Sequence, residues 1–159
     1  MGRIYSIEGG PTAETVKVDF FSIVPADDKP CILHAVFIGQ TTEVGDAQEE
    51  QLEVLIVRGG TGMTVGSGGA APTPRPIASS ADAASGFTAR TLDTTVATFT
   101  AGVNVHRDTF NVRNGWQYYP APEDRIGFSQ ANGGLAVSMT GAPADSITFT
   151  VTAIIEELG

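Results

Sequence analysis

The chain has little of what enzymes and nucleic-acid-binding proteins are built from. It holds one cysteine, two histidines, and nine basic residues against eighteen acidic ones. A lone cysteine excludes an intramolecular disulfide. Cys31 heads an apolar run and reads as a small buried hydrophobe rather than a reactive thiol. The net charge of −9 opposes phosphate binding, which needs Lys and Arg to displace counterions, and no basic run offsets it. No apolar stretch approaches the ~20 residues of a membrane-spanning helix. The opening MGRIYSIEGG lacks the continuous apolar segment of a secretory signal. The expected partners therefore include neither nucleic acid nor membrane.

What is present points to strands. Hydrophobic residues make up 42% of the chain and charged residues only 17%, which excludes disorder. The length of 159 residues suits one domain spanning residues 1–159. Its centre is Cys31–Gly59, where two apolar runs, Ile32–Ile38 and Leu52–Val57, flank an acidic connector. Their Ile, Val and Phe content suits a pleated surface. Thr15–Val24 alternates and reads as a hairpin partner of Cys31–Gln40, with Pro25–Pro30 as the turn. Residues 1–12 read as an arm or short strand closed by Gly9-Gly10-Pro11. Residues 59–76, dense in glycine and then proline, read as a long, loosely ordered surface loop.

Asp108–Arg113 and Trp116–Tyr119 are strands around an Asn114-Gly115 turn, and Leu135–Thr140 is another. Ser146–Glu157 has the cleanest alternation, with Ile147, Phe149, Val151, Ala153 and Ile155 on one face. About eight main strands and no long helix predict an all-β fold, a single antiparallel β-sandwich of jelly-roll type. The terminal strand is expected mid-sheet beside Thr15–Val24. The expected core is Ile32, Val36, Leu52, Val54, Ile56, Leu135, Val137, Ile147, Phe149 and Val151.

Motifs that carry chemistry are sparse. A metal-binding jelly roll would bring histidines and a carboxylate together, yet His34 and His106 lack H-x-H spacing, so no metal or cofactor is expected. The glycine tract matches neither a phosphate loop nor a dinucleotide fingerprint. His106 and Asp108 could be drawn into a hydrolytic triad, but no nucleophile elbow accompanies them, despite Gly66-Ser67-Gly68. The acidic connector does not follow a calcium-loop pattern. Trp116, Tyr118 and Tyr119 could form a sugar-stacking platform. Trp116 and Tyr118 share a face that reads as core, leaving Tyr119 as a surface contact. No catalytic residue is assigned, and a non-enzymatic role is expected.

Leu55 and Val57 lie opposite the Leu52–Val54–Ile56 face and need cover of their own. With Tyr119 and the extended TPRP segment they predict a self-associating surface. Glu43, Asp46, Glu49 and Glu50 would then meet Arg58, Arg75 or Arg113 of a neighbouring copy.

The blocks DKPCILHAVFIGQTTEVGDAQEEQLEVLIVRG, TPRP, DTFNVRNGWQYYPAPEDR and APADSITFTVTAIIEELG resemble short virion structural proteins of tailed phages and prophages, of the jelly-roll head-decoration (capsid cement) type. The resemblance spans nearly the whole chain and its motifs are structural. It implies a protein made in the host cytoplasm without a signal peptide, which binds the outside of a phage shell. The implied partners are the major capsid protein or another virion protein, and further copies of itself around a threefold axis. A carbohydrate-binding jelly roll on a phage surface is the alternative, with a small cupin-like or hydrolytic enzyme behind it.

Overall fold

The computed structural model describes residues 2–42, 50–60 and 62–159. It is an antiparallel β-sandwich whose long strands are β1 (Arg3–Glu14), β2 (Asp19–Val24), β3 (Cys31–Gln40), β4 (Gln51–Arg58), β9 (Val103–Asn111), β12 (Leu135–Met139) and β13 (Ile147–Glu157). The remaining strands are β5 (Met63–Thr64), β6 (Arg75–Pro76), β7 (Thr88–Asp93), β8 (Thr98–Phe99), β10 (Trp116–Tyr118) and β11 (Ile126–Phe128). One sheet runs β10-β3-β13-β1-β6, with β11 also on β3; the other runs β7-β2-β12-β4-β9. Apart from the edge additions β6, β7 and β11, this order is compatible with jelly-roll wiring, because the chain changes sheets at nearly every connection.

The turn expected to close a hairpin and the expected Asn114-Gly115 turn are both crossovers between sheets. Pro25–Pro30 carries the chain from β2 in one sheet to β3 in the other, and Asn114-Gly115 carries it from β9 to β10. Turn-forming residues reverse the chain in each case. The partner strand is chosen by which face has apolar surface to bury. The terminal strand β13 does lie mid-sheet, but between β3 and β1 rather than beside β2.

The place foreseen for Thr15–Val24 belongs to β1, which runs twelve residues through the expected breaker. Its pairing with β13 slips between Gly9 and Thr12, so Gly10 and Pro11 bulge out of the ladder. Proline has no N–H to contribute there. Gly10 has φ +86°, and a Cβ on it would stand 2.2 Å from the Phe149 carbonyl oxygen, so only glycine fits.

The core lies between the sheets and contains Tyr5, Ile7, Phe20, Phe21, Leu33, Val36, Ile56, Val137, Phe149 and Ile155, all fully buried. Nine of the ten expected core residues are buried; Ile32 is not. The pairing of β3 with β13 skips His34, between Ile154↔Ala35 and Ile155↔Leu33. That bulge reverses the alternation, so Leu33 points inward and Ile32 lies half-buried on the outer side. A further strand, β11, pairs with β3.

Candidate interaction surfaces

The two outer faces of the sandwich differ. In the second sheet the outer-face residues Ser22 and Ala136 are each 1% exposed, so something covers them. The cover comes from the chain itself, as a flap made of residues 62–70 after β4 and 94–102 after β7. Its two legs pair through β5 and β8 and through a Ser67↔Thr95 bridge. A second bridge, Ala70↔Thr91, ties the flap to β7. A Cβ on Gly102 would lie 2.9 Å from both Val57 Cγ1 and Phe99 Cβ, so Val57 already has a neighbour in its own chain. The glycine-rich tract is thus held by defined backbone hydrogen bonds, where a loosely ordered loop was expected.

Two carboxylates hold this flap down. Asp19 and Asp93 face each other across β2 and β7, and both are 0% exposed. Asp19 accepts hydrogen bonds from the Ala97 N–H on one leg and from Ser138 Oγ of β12, both at 2.5 Å. Asp93 accepts from the Gly69 N–H on the other leg at 2.9 Å and from the Arg90 guanidinium at 2.7 to 3.1 Å. Burial pushes the Asp19 carboxyl up to about 6, against the opposing pull of its two donors, and the neighbouring Asp93 charge adds to the rise. Among the described residues Ser22 Oγ, in the same buried surroundings, has no hydrogen-bond partner.

Glu157 does similar work at the other end of the sandwich. It ends the inward face of β13, is 0% exposed, and accepts from the Gly86 and Phe87 N–H groups at 2.6 and 3.1 Å. Lys29 Nζ lies 3.8 Å from its other oxygen. Nearby Cys31 is 1% exposed, and burial followed by the Glu157 charge pushes its thiol up to about 12. The acidic excess is therefore partly internal, with carboxylates tying irregular segments to the sheets. Asp19, Asp93 and Glu157 were missed as such in the sequence. The available signal was a carboxylate inside an otherwise apolar run, as in Val18-Asp19-Phe20-Phe21.

The outer face of the first sheet carries Ile4, Ile32, Phe37, Ile154 and the threonines Thr148, Thr150 and Thr152, all half-buried. Registry places Ile4 and Ile32 on either side of Glu156, and Phe37 beside Thr152. His34 Nε2 lies 2.8 Å from Glu156 Oε2, and Glu156 Oε1 accepts the Gly2 N–H at 2.9 Å. A Cβ on Gly127, in β11, would meet nothing within 4 Å. No strand of the described chain is layered over this face.

The foreseen contact residues do not form one patch. Glu43, Asp46 and Glu49 lie outside the described residues. Glu50 Oε1 accepts from the Ala144 N–H at 2.6 Å, so it is engaged within its own chain. Leu55 and Val57 are half-buried on the flap side of the second sheet. Arg58 Nη1 donates to the Gly127 carbonyl at 3.1 Å, linking the two sheets. Arg113, exposed in the β9–β10 crossover, and Tyr119, 73% exposed after β10, share one edge of the sandwich. Arg75 sits on the opposite edge in β6, beside a depression lined by Ser6, Glu8, Pro72 and Thr73.

The residues tested for chemistry are separated too. His34 points outward from the first sheet, while His106 stands on the edge strand of the second, so the two do not converge. His106 packs 4.9 Å from Tyr118 and 6.0 Å from Trp116, ring centre to ring centre. Asp108 receives the Trp116 Nε1–H at 3.0 Å rather than orienting His106; that bond, then the Thr109 N–H, holds its carboxyl below the usual range. Trp116 is 5% exposed and stacks on Tyr118, so it offers no free face to a sugar. Among the described residues no three His, Cys, Asp or Glu side chains group as metal ligands.

Comparison with known proteins finds no matching family model, no similar curated protein and no similar solved structure.

Proposed function

We propose that this chain is a non-enzymatic virion structural protein, a capsid decoration or cement protein that binds the outside of a tailed-phage shell and stabilises it. The observation that carries this reading is the asymmetry of the sandwich. The chain covers the outer face of one sheet with its own flap, while among the described residues no strand is layered over the other sheet's outer face, which carries Ile4, Ile32, Phe37 and Ile154. An accessory protein needs such a broad, flat, mixed apolar and threonine surface; a catalyst needs a cleft with converging polar groups. The most buried carboxylates are occupied in holding loops, which supports a scaffold role. The net charge of −9 keeps such a protein off the packaged genome.

The protein's partners in this reading are the major capsid protein, or another virion protein, and further copies of itself in a trimer. The covering of Val57 by the chain's own flap removes one reason for self-association. Tyr119 and Arg113, together on an exposed edge, remain as the surface for it. The test is to add purified protein to shells lacking it and to measure co-sedimentation. Phe37→Glu combined with Ile154→Glu should abolish shell binding while leaving the circular dichroism spectrum and melting temperature near wild type. Undiminished binding by this variant would overturn the assignment of the face.

A further inference from the structure

The flap over the second sheet is fixed by a pair of buried carboxylates, one for each leg. Asp93 holds Gly69 and Asp19 holds Ala97, and the two acids are cross-strand neighbours with 0% exposure. Lifting the flap would return Asp19 to water and uncover Ser22, Ala136 and Val57, an outer face with apolar content. We propose that the flap is a proton-linked strap: its closed state takes up a proton at Asp19, so mild acid tightens it over the sheet and alkaline conditions loosen it.

The charged groups facing Asp19 set the direction. Asp93, from β7, repels the Asp19 carboxylate; Lys17, in the preceding loop, attracts it. Ser138 of β12 and the Ala97 backbone of the flap supply neutral donors. Arg90 is committed to Asp93 through paired hydrogen bonds, so it offers Asp19 little direct compensation. Desolvation dominates and raises the closed-state value from 3.8 to about 6. An open flap returns Asp19 toward its ordinary value. The closed state therefore binds more protons between those two values, and its advantage grows as pH falls through about 6. At pH 5 the closed-to-open ratio should be about tenfold higher than at pH 8, as one unit below the closed-state value implies.

Amide hydrogen exchange on the intact protein tests this. After correction for intrinsic exchange, the Ala97 and Gly69 amides should show an opening constant about tenfold smaller at pH 5 than at pH 8. The core amides of Ile56 and Phe149 serve as the reference for global opening. Asp19→Asn should flatten the pH dependence at Ala97. Should that variant fold poorly, carboxyl carbon NMR of Asp19 in the wild-type protein gives an independent readout, with an expected midpoint near 6. An opening constant at Ala97 that does not change with pH, or an Asp19 midpoint near 4, would overturn the proposal.

Discussion

Phe149→Ala is the perturbation that most directly tests the core. Phe149 stands in the central strand of the first sheet, between Thr12 of β1 and Gln40 of β3, and is 0% exposed. Its ring meets Phe20 of the opposite sheet edge to face, with centroids 5.3 Å apart and planes at 80°. Removing it leaves a cavity between two sheets whose strands are fixed by ladders on both sides, so collapse around the gap is limited. The expected loss is ~3–5 kcal/mol, against a total stability on the order of 5–15 kcal/mol for a domain. For a chain of this length that corresponds to a fall in melting temperature of about 6–20 °C. Urea denaturation should show a lower midpoint at unchanged slope, since the folded architecture persists. Thr150→Ala, one residue away on the outer face, should stay within ~0.5 kcal/mol of wild type. A double-mutant cycle with Phe20→Leu should return a coupling of ~0.5–1.5 kcal/mol from the ring pair. A Phe149→Ala loss below about 1 kcal/mol would refute the packing described.

Gly69→Ala should cost about 1–3 kcal/mol, because its Cβ would stand 2.1 Å from the Thr91 carbonyl oxygen and 2.4 Å from that of Leu92. Gly127→Ala, with nothing within 4 Å, should be near neutral in the same thermal-melt series. The Cys31 thiol, pushed up to about 12, should resist a thiol reagent at pH 8 in the folded protein and react at once in denaturant; rapid native labelling would contradict its burial. Asp108 titrates below its usual range because Trp116 donates to it, so its contribution to stability is present above that range and lost as pH falls. Trp116→Phe should move the Asp108 carboxyl carbon midpoint upward in an NMR titration; an unmoved midpoint would assign the shift to another cause. Light scattering should find an oligomer, and a monomer persisting at high concentration and low salt would remove the trimer.

Much of the fold was legible from alternation. In β13 and β4 the pattern of apolar side chains specified both strand and inward face, because no bulge interrupts β13 from Ile147 to Ile154 and Leu52, Val54 and Ile56 share one face of β4. In β3 the bulge at His34 reversed the parity, which no local signal announces, and Ile32 was therefore placed on the wrong side. Pro25–Pro30 and Asn114-Gly115 announced chain reversal correctly. They could not say which sheet receives the chain, since that depends on the apolar faces of strands distant in sequence. The glycine tract looked loose because its residues have little side chain to bury. Its order comes from backbone N–H and C=O groups meeting Asp93, Thr91 and Thr95, partners roughly two dozen residues onward. Of the foreseen contact residues, Tyr119 is exposed, whereas Arg58 and Glu50 bond within the chain and Val57 lies beside the flap, engagements that depend on segments distant in sequence.

The measurement that bears most directly on the proposed role is the copy number of this chain in purified phage virions, by quantitative mass spectrometry against the major shell subunit. A decoration protein that docks through the outer face of its first sheet should be present at a copy number comparable to that subunit and should be released intact when the shell is disassembled. Absence from the virion, or presence only at the level of a tail or portal component, would contradict the account.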